Sequence, residues 1–129
     1  RSARGPIERR LCSPHVELRI AACRALGRLG LAEAGPGLTL ALADDAWPVR
    51  ALAAQALGRI REAHAVEALV ERVSDRSWWV RHHAAYALAT VGPEGRDALC
   101  ELIVRSDDPY AREMARDALD QHSSAQRSA

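Results

Sequence analysis

The chain has 129 residues, with 18 basic side chains against 17 acidic ones and a formal charge of +1. That length accommodates one compact domain rather than two, and the even charge lacks the basic excess of a dedicated nucleic-acid binder. Charged residues at 27% argue against a disordered chain, and no apolar run approaches the roughly 18–20 residues of a membrane-spanning helix.

The opening Arg1-Ser2-Ala3-Arg4 has neither a starting Met nor a signal peptide, which points to a fragment of something longer. Its arginines (Arg1, Arg4, Arg9, Arg10) fit a polar first helix, or the flank of a membrane segment missing upstream. A short helix is expected from about Ile7 to Cys12. The three cysteines, Cys12, Cys23 and Cys100, form no CxxC pair, so a reduced, cytoplasmic setting is expected.

From there the sequence repeats. Leu18-Arg19, Val49-Arg50, Val80-Arg81 and Ala111-Arg112 lie 31 positions apart. Three positions after each Arg stand Ala22, Ala53, Ala84 and Ala115. Six and seven positions after it stand Ala25-Leu26, Ala56-Leu57, Ala87-Leu88 and Ala118-Leu119. With Leu29, Ile60 and Val91 at the tenth position, these residues trace one stripe of an α-helix. A shorter helix precedes each: Leu38, Leu40 and Leu42 after Gly35-Pro36-Gly37, then Val66 to Val73, then a helix starting at Gly92-Pro93. In the last unit Ala98-Leu99 falls only 30 residues after Ala68-Leu69, and the extra residue is expected in the Ser106-Asp107-Asp108 turn. The units run about 1–30, 31–61, 62–92 and 93–122, with a disordered tail over 123–129.

The turns carry their own chemistry. Ser13-Pro14, Asp108-Pro109 and Ser77 are expected to cap the longer helices. Asp44, Asp75 and Asp107 precede Arg50, Arg81 and Arg112, which suggests an Asp–Arg ladder of partly exposed pairs worth under about 1 kcal/mol each.

The pattern Asp-x-x-x-x-Val-Arg-x-x-Ala-Ala-x-Ala-Leu-Gly-x-Ile resembles HEAT-like repeats of the phycobilisome-lyase type. Residues 45–60 carry it, from Asp45 through Val49-Arg50 and Ala53-Ala54 to Leu57-Gly58 and Ile60, with one residue fewer between Asp45 and Val49. Ser77-Trp78-Trp79-Val80-Arg81 resembles HEAT-like domains appended to bacterial membrane-anchored proteins. The resemblance implies an all-α, right-handed solenoid of about four helical hairpins, with the longer helices lining the concave surface. It covers bilin-attachment enzymes, their chaperone-like relatives and bacterial interaction domains, and so fixes a scaffold rather than an activity.

On that surface the outward positions are expected to be Ile20, Ala21, Arg24 and Arg28, then Ala51, Leu52, Gln55 and Arg59. His82, His83, Tyr86 and Thr90 follow, then Glu113, Met114, Asp117 and Gln121. The face runs from basic through aromatic to acidic, which suits a folded protein or peptide of complementary charge. Trp47, Trp78, Trp79 and Tyr110 all fall at the start of a longer helix. Trp and Tyr anchor interfaces, but Trp47 and Trp78 are read first as caps on the repeat core, with Trp79 exposed. The expected partner surface comprises Trp79, Tyr110, His82, His83, Tyr86, Arg28 and Arg59.

His82-His83 is not a metal pair, because adjacent helical residues point about 100° apart and neither has an acid or Cys at the third or fourth position beyond. Cys23 and Cys100 are expected to be buried, and Cys12 accessible. Arg24, Arg28 and Arg59 raise DNA binding as a rival, opposed by Glu113, Asp117 and Asp120. A bilin-lyase-like protein handling a tetrapyrrole is the other rival. The reading favoured is a non-catalytic protein–protein interaction scaffold from a larger bacterial protein, with no cofactor and no metal.

Overall fold

The computed structural model describes residues 4–128. Among the described residues eight α-helices follow one another: α1 Arg4–Arg10, α2 Val16–Leu29, α3 Gly35–Ala41, α4 Trp47–Ile60, α5 Val66–Arg72, α6 Trp78–Val91, α7 Pro93–Arg105 and α8 Pro109–Ser128. They pair as hairpins, α1 with α2, α3 with α4, α5 with α6 and α7 with α8, and the hairpins stack into an α-solenoid. The longer helices α2, α4, α6 and α8 pack in sequence, whereas α1, α3 and α5 scarcely meet one another. The stack therefore closes on the longer-helix side, which is its concave face.

Small residues cause that closeness. A Cβ on Gly58 would lie 3.1 Å from Ala87 Cα and 3.0 Å from Thr90 Oγ1, and one on Gly27 would lie 3.1 Å from Ala56 Cα. Around these contacts Ala53, Ala54, Ala84 and Ala85 are fully buried, with Leu26, Leu57 and Leu88 filling the layer toward the shorter helices. Cys23 lies in this stripe, and its burial, with the negative charge of Asp44, pushes the thiol up to about 12.

Several expectations are corrected. Helix α8 runs on through residues 123–128 of the tail expected over 123–129, and residue 129 lies outside the described residues. Cys100 is exposed, not buried. The cause is the α6–α7 junction: Gly92, at φ 141°, is the only residue between the helices, where the earlier junctions hold a 3-10 turn at Ala32–Ala34 and Ala63–Ala65. The shorter connection moves the register back by one, so Leu99 fills the core and Cys100 turns outward. Ala51 and Met114, expected on the open face, are buried at 4% and 8%. Ser77 flanks α6 but makes no side-chain cap, and α2 starts at Val16, beyond Pro14. The capping oxygens lie two residues earlier in the turn, where Asp44 accepts from Ala46 N–H and Asp75 from Ser77 N–H, both at 2.9 Å.

The ladder runs between units. Arg19 Nε donates to Asp44 Oδ2 at 2.9 Å, and Arg50 Nε donates to Asp75 Oδ2 at 2.9 Å, with Nη2 of each on the other carboxylate oxygen. Arg50 and Asp75 are 7% and 8% exposed, so this rung is a buried pair rather than a surface one. Asp107 takes no part; its place in the series belongs to Ser106, the residue 31 after Asp75.

Candidate functional site

The residues that break the apolar stripe of α6 converge on its open side. Trp78, His82 and Tyr86 recur every four positions, which sets them one above another on a helix. Trp78 and His82 stack with ring centres 4.9 Å apart and planes 13° from parallel, and His82 meets Tyr86 at 4.3 Å. His83 touches His82 edge-on at 5.4 Å, and Trp79 stands against Trp78 at 4.9 Å. The result is a column of rings along the middle helix of the concave face.

A groove flanks the column on each side. Toward α4 a groove of about 470 Å³ is lined by Arg59, Arg61, His82, His83, Tyr86 and Thr90 among others. Toward α8 a groove of about 400 Å³ is lined by Trp78, Arg81, Tyr86, Tyr110, Glu113 and Asp117 among others. One flank is thus basic and the other acidic at its α8 wall. Arg61 reaches its place from a left-handed backbone, φ 56°, at the end of α4.

The column itself is uncharged at neutral pH. Burial pushes the His82 and His83 imidazoles below their ordinary value; Asp117 partly offsets this at His82, while His82 and Arg59 add to it at His83. Burial, then the Asp117 carboxylate, raises the Tyr86 phenol. The rings therefore offer stacking faces, an O–H donor and neutral imidazole nitrogens rather than fixed cations.

Of the residues expected from sequence, Arg59, His82, His83 and Tyr86 share the first groove, while Tyr110 lies in the second with His82 and Tyr86. Trp79 lines neither and stands on the rim, 52% exposed. Arg28 lies on α2, one helix spacing beyond its counterpart Arg59, and lines neither groove. Trp47 and Trp78, read first as core caps, are 47% and 48% exposed and sit on the rim. Trp78, named from sequence among the candidate aromatics but read first as a cap, lies with His82 and Tyr86, and its spacing of four from His82 and of eight from Tyr86 is the sequence signal for that grouping. Among the described residues no three His, Cys, Asp or Glu side chains gather as a metal site, and no helix is long and apolar enough to cross a membrane.

A family model for HEAT repeats matches residues 35–120. No curated protein matches the sequence. Among solved structures, the complex of CpcE and CpcF of phycocyanin lyase from Nostoc sp. PCC7120 is similar in fold, at 24% identity and a TM-score of 0.72 over 92% of this chain. A crystal structure of an engineered protein is similar at 26% identity and a TM-score of 0.63, again over 92% of this chain. The chain spans 54% and 61% of the lengths of these two.

Proposed function

Because the chain belongs to the HEAT-repeat family, we propose that it is a non-catalytic, cytoplasmic scaffold that binds an extended protein segment along the α6 ring column. The observation that carries this reading is the column itself: Trp78, His82 and Tyr86, stacked and accessible between two grooves of opposite charge. Trp78 is exposed and His82 and Tyr86 are only half-buried, whereas Leu, Val and Ala make up the fully buried core. Rigid rings between grooves are what an interface uses as anchors. Arg59 and Arg61 on one flank, with Glu113 and Asp117 on the other, would fix the direction in which a segment lies.

The test is a random-peptide display selection against wild type and a Trp78→Ala/Tyr86→Ala variant whose helicity is checked by circular dichroism. Peptides enriched on wild type should bind the variant at least about tenfold more weakly. If nothing is enriched, or the variant binds equally well, the reading is wrong.

A second reading is favoured by one observation, the His-lined grooves beside an aromatic column in a fold shared with proteins named as phycocyanin lyase. On that reading the face handles a linear tetrapyrrole. Mixing with a bilin should then shift its visible absorbance, and His82→Ala/His83→Ala should remove the shift. An unchanged spectrum on mixing dismisses it.

A further inference from the structure

Four positions spaced 31 apart, Ser13, Asp44, Asp75 and Ser106, open the turns before the longer helices, and each accepts the N–H two residues on. Four arginines answer at the same spacing. Nη1 of Arg19, Arg50, Arg81 and Arg112 donates to the carbonyl of Ser13, Asp44, Asp75 and Ser106 at 2.8, 2.9, 2.8 and 2.7 Å. This anchor orients the guanidinium so that its other edge, Nε with Nη2, is directed at the next unit.

In the first two steps that edge holds an aspartate as a two-pronged fork, Arg19 on Asp44 and Arg50 on Asp75. In the third step the residue at the same distance is Ser106, whose hydroxyl already accepts from Asp108 N–H. Arg81 bonds only through Nη1, to the Asp75 and Arg76 carbonyls. Its Nε is the one buried side-chain nitrogen or oxygen among the described residues that lacks a hydrogen-bond partner. A buried charged donor left unmatched is costly, and the planar fork fits a carboxylate.

The unmatched Nε is buried, but beside a groove rather than deep in the core. Arg81 lines the groove between α6 and α8, and its guanidinium carbon stands 5.9 Å from the ring centre of Tyr110, itself 67% exposed. We infer that Arg81 is the seat for an Asp or Glu side chain of the bound segment, with Tyr110 turning off the guanidinium to admit it. The inference rests on the peptide-binding reading above and names the chemistry of that partner. The two in-chain occupants of equivalent seats are carboxylates, and Glu113 and Asp117 in the same groove repel a more highly charged anion such as phosphate.

The groove also says what accompanies the acid. Asp117 lies seven residues from Tyr110 along α8, about 10 Å at 1.5 Å per residue, and its charge reaches His82 and Tyr86. An extended segment covers about 10 Å in three residues. A segment that seats an acidic residue on Arg81 beside Tyr110 and runs along α8 brings a residue about three positions away to Asp117, where a basic side chain is the complement.

Ser106→Asp tests the seat without removing an existing contact, because Asp44 and Asp75 show that aspartate also accepts the N–H two residues on. Peptides enriched by display on wild type are titrated by fluorescence anisotropy, each beside a version with its Asp or Glu changed to Asn or Gln. The neutralised peptide should bind wild type about ten- to a hundredfold more weakly. Ser106→Asp should melt at a higher temperature than wild type and bind the acidic peptide about as weakly as wild type binds the neutralised one. Enriched peptides that are indifferent to neutralisation overturn this inference alone, as does a Ser106→Asp chain that gains no stability or keeps full affinity. A wild-type chain that enriches no peptide overturns the interaction reading and this one together.

Discussion

Among the described residues Asp75 accepts more hydrogen bonds than any other carboxylate. Arg50 Nε and Nη2 donate to it at 2.9 and 3.0 Å, Arg72 Nη1 at 3.2 Å, and Ser77 N–H at 2.9 Å. Burial alone would raise its carboxyl, but the Arg50 and Ser77 hydrogen bonds and the charges of Arg50 and Arg72 outweigh burial and hold it below the usual carboxylate range. Asp75→Asn keeps the shape and the turn and removes only the charge, leaving Arg50 buried beside a neutral amide. The expected loss is about 3 kcal/mol in urea unfolding, the scale for breaking a buried pair, with Asp44→Asn on the more exposed Arg19 rung losing less. The pH dependence has a definite sign. The unfolded chain protonates Asp75 near pH 3.9 and the folded chain only at lower pH, so its stabilisation is complete above about pH 5 and is lost as pH falls through the folded value. His82 and His83, lowered in the folded chain, also weaken it in acid, but from about pH 6.5 downward. Asp75→Asn should therefore flatten stability against pH in the carboxylate window and leave the histidine window in place. Equal slopes in both windows would show that Asp75 is not the group responsible.

At the scale of the helices, the question is what sets their spacing. Alanine has a helix propensity about 1 kcal/mol better than glycine, so Gly58→Ala on an isolated α4 would stabilise it. In the stack the new methyl group would meet Ala87 Cα at 3.1 Å and Thr90 Oγ1 at 3.0 Å, and the Ala87 backbone cannot yield without shifting α6. Overpacking of this kind costs about 1–3 kcal/mol, so the expected net result is a lower melting temperature, read by circular dichroism. A higher one would mean that α4 and α6 slide apart freely and that glycine is not what brings them together. The element pattern was largely legible because each longer helix repeats the same stripe at the same interval, so four imperfect copies reinforce one another. The exceptions were places where one unit departs from the rest. Cys100 lies outside because, in the register set 30 residues after the preceding unit, it matches Val70, itself only half-buried, and not the fully buried Leu69; alignment gives the register but not how deeply each position packs. Trp78 aligns with Trp47 along one rim, but its ring partners lie one and two turns further along its own helix, a grouping that comparison between units does not bring out. The ladder was visible as an arrangement of acids and arginines, but not its depth, since burial of Arg50 and Asp75 depends on how neighbouring turns close over them.

Over the whole molecule, each hairpin meets only its neighbours, so stability is distributed along a line rather than around a centre. Helices α4 and α6 have a longer helix on both sides and carry the fully buried Val49, Ala53, Leu57, Val80, Ala84 and Leu88. The two ends differ from this. Helix α1 has seven residues, none of its described side chains is fully buried, and it packs mainly on α2. Beyond Leu119 every side chain of α8 through Ser128 is exposed except the half-buried His122, so no tertiary contact fixes those last turns. A helical segment without a packed face has only its own hydrogen bonds, which are marginal in water over so short a length. Native-state amide exchange should follow this order: slowest in α4 and α6, intermediate in α2 and α7, and fastest in α1 and over Ser123–Ser128, where opening approaches zero free energy. The concave face is then built on the most rigid part of the line, since Arg59, His82 and Tyr86 sit on α4 and α6, while Glu113 and Asp117 belong to the less supported α8. A bound segment that spans the α6–α8 groove should accordingly slow exchange more in α8 than in α6. Protection of Ser123–Ser128 in the free chain equal to that of α6 would contradict this distribution, and would mean that a second copy covers the end of α8.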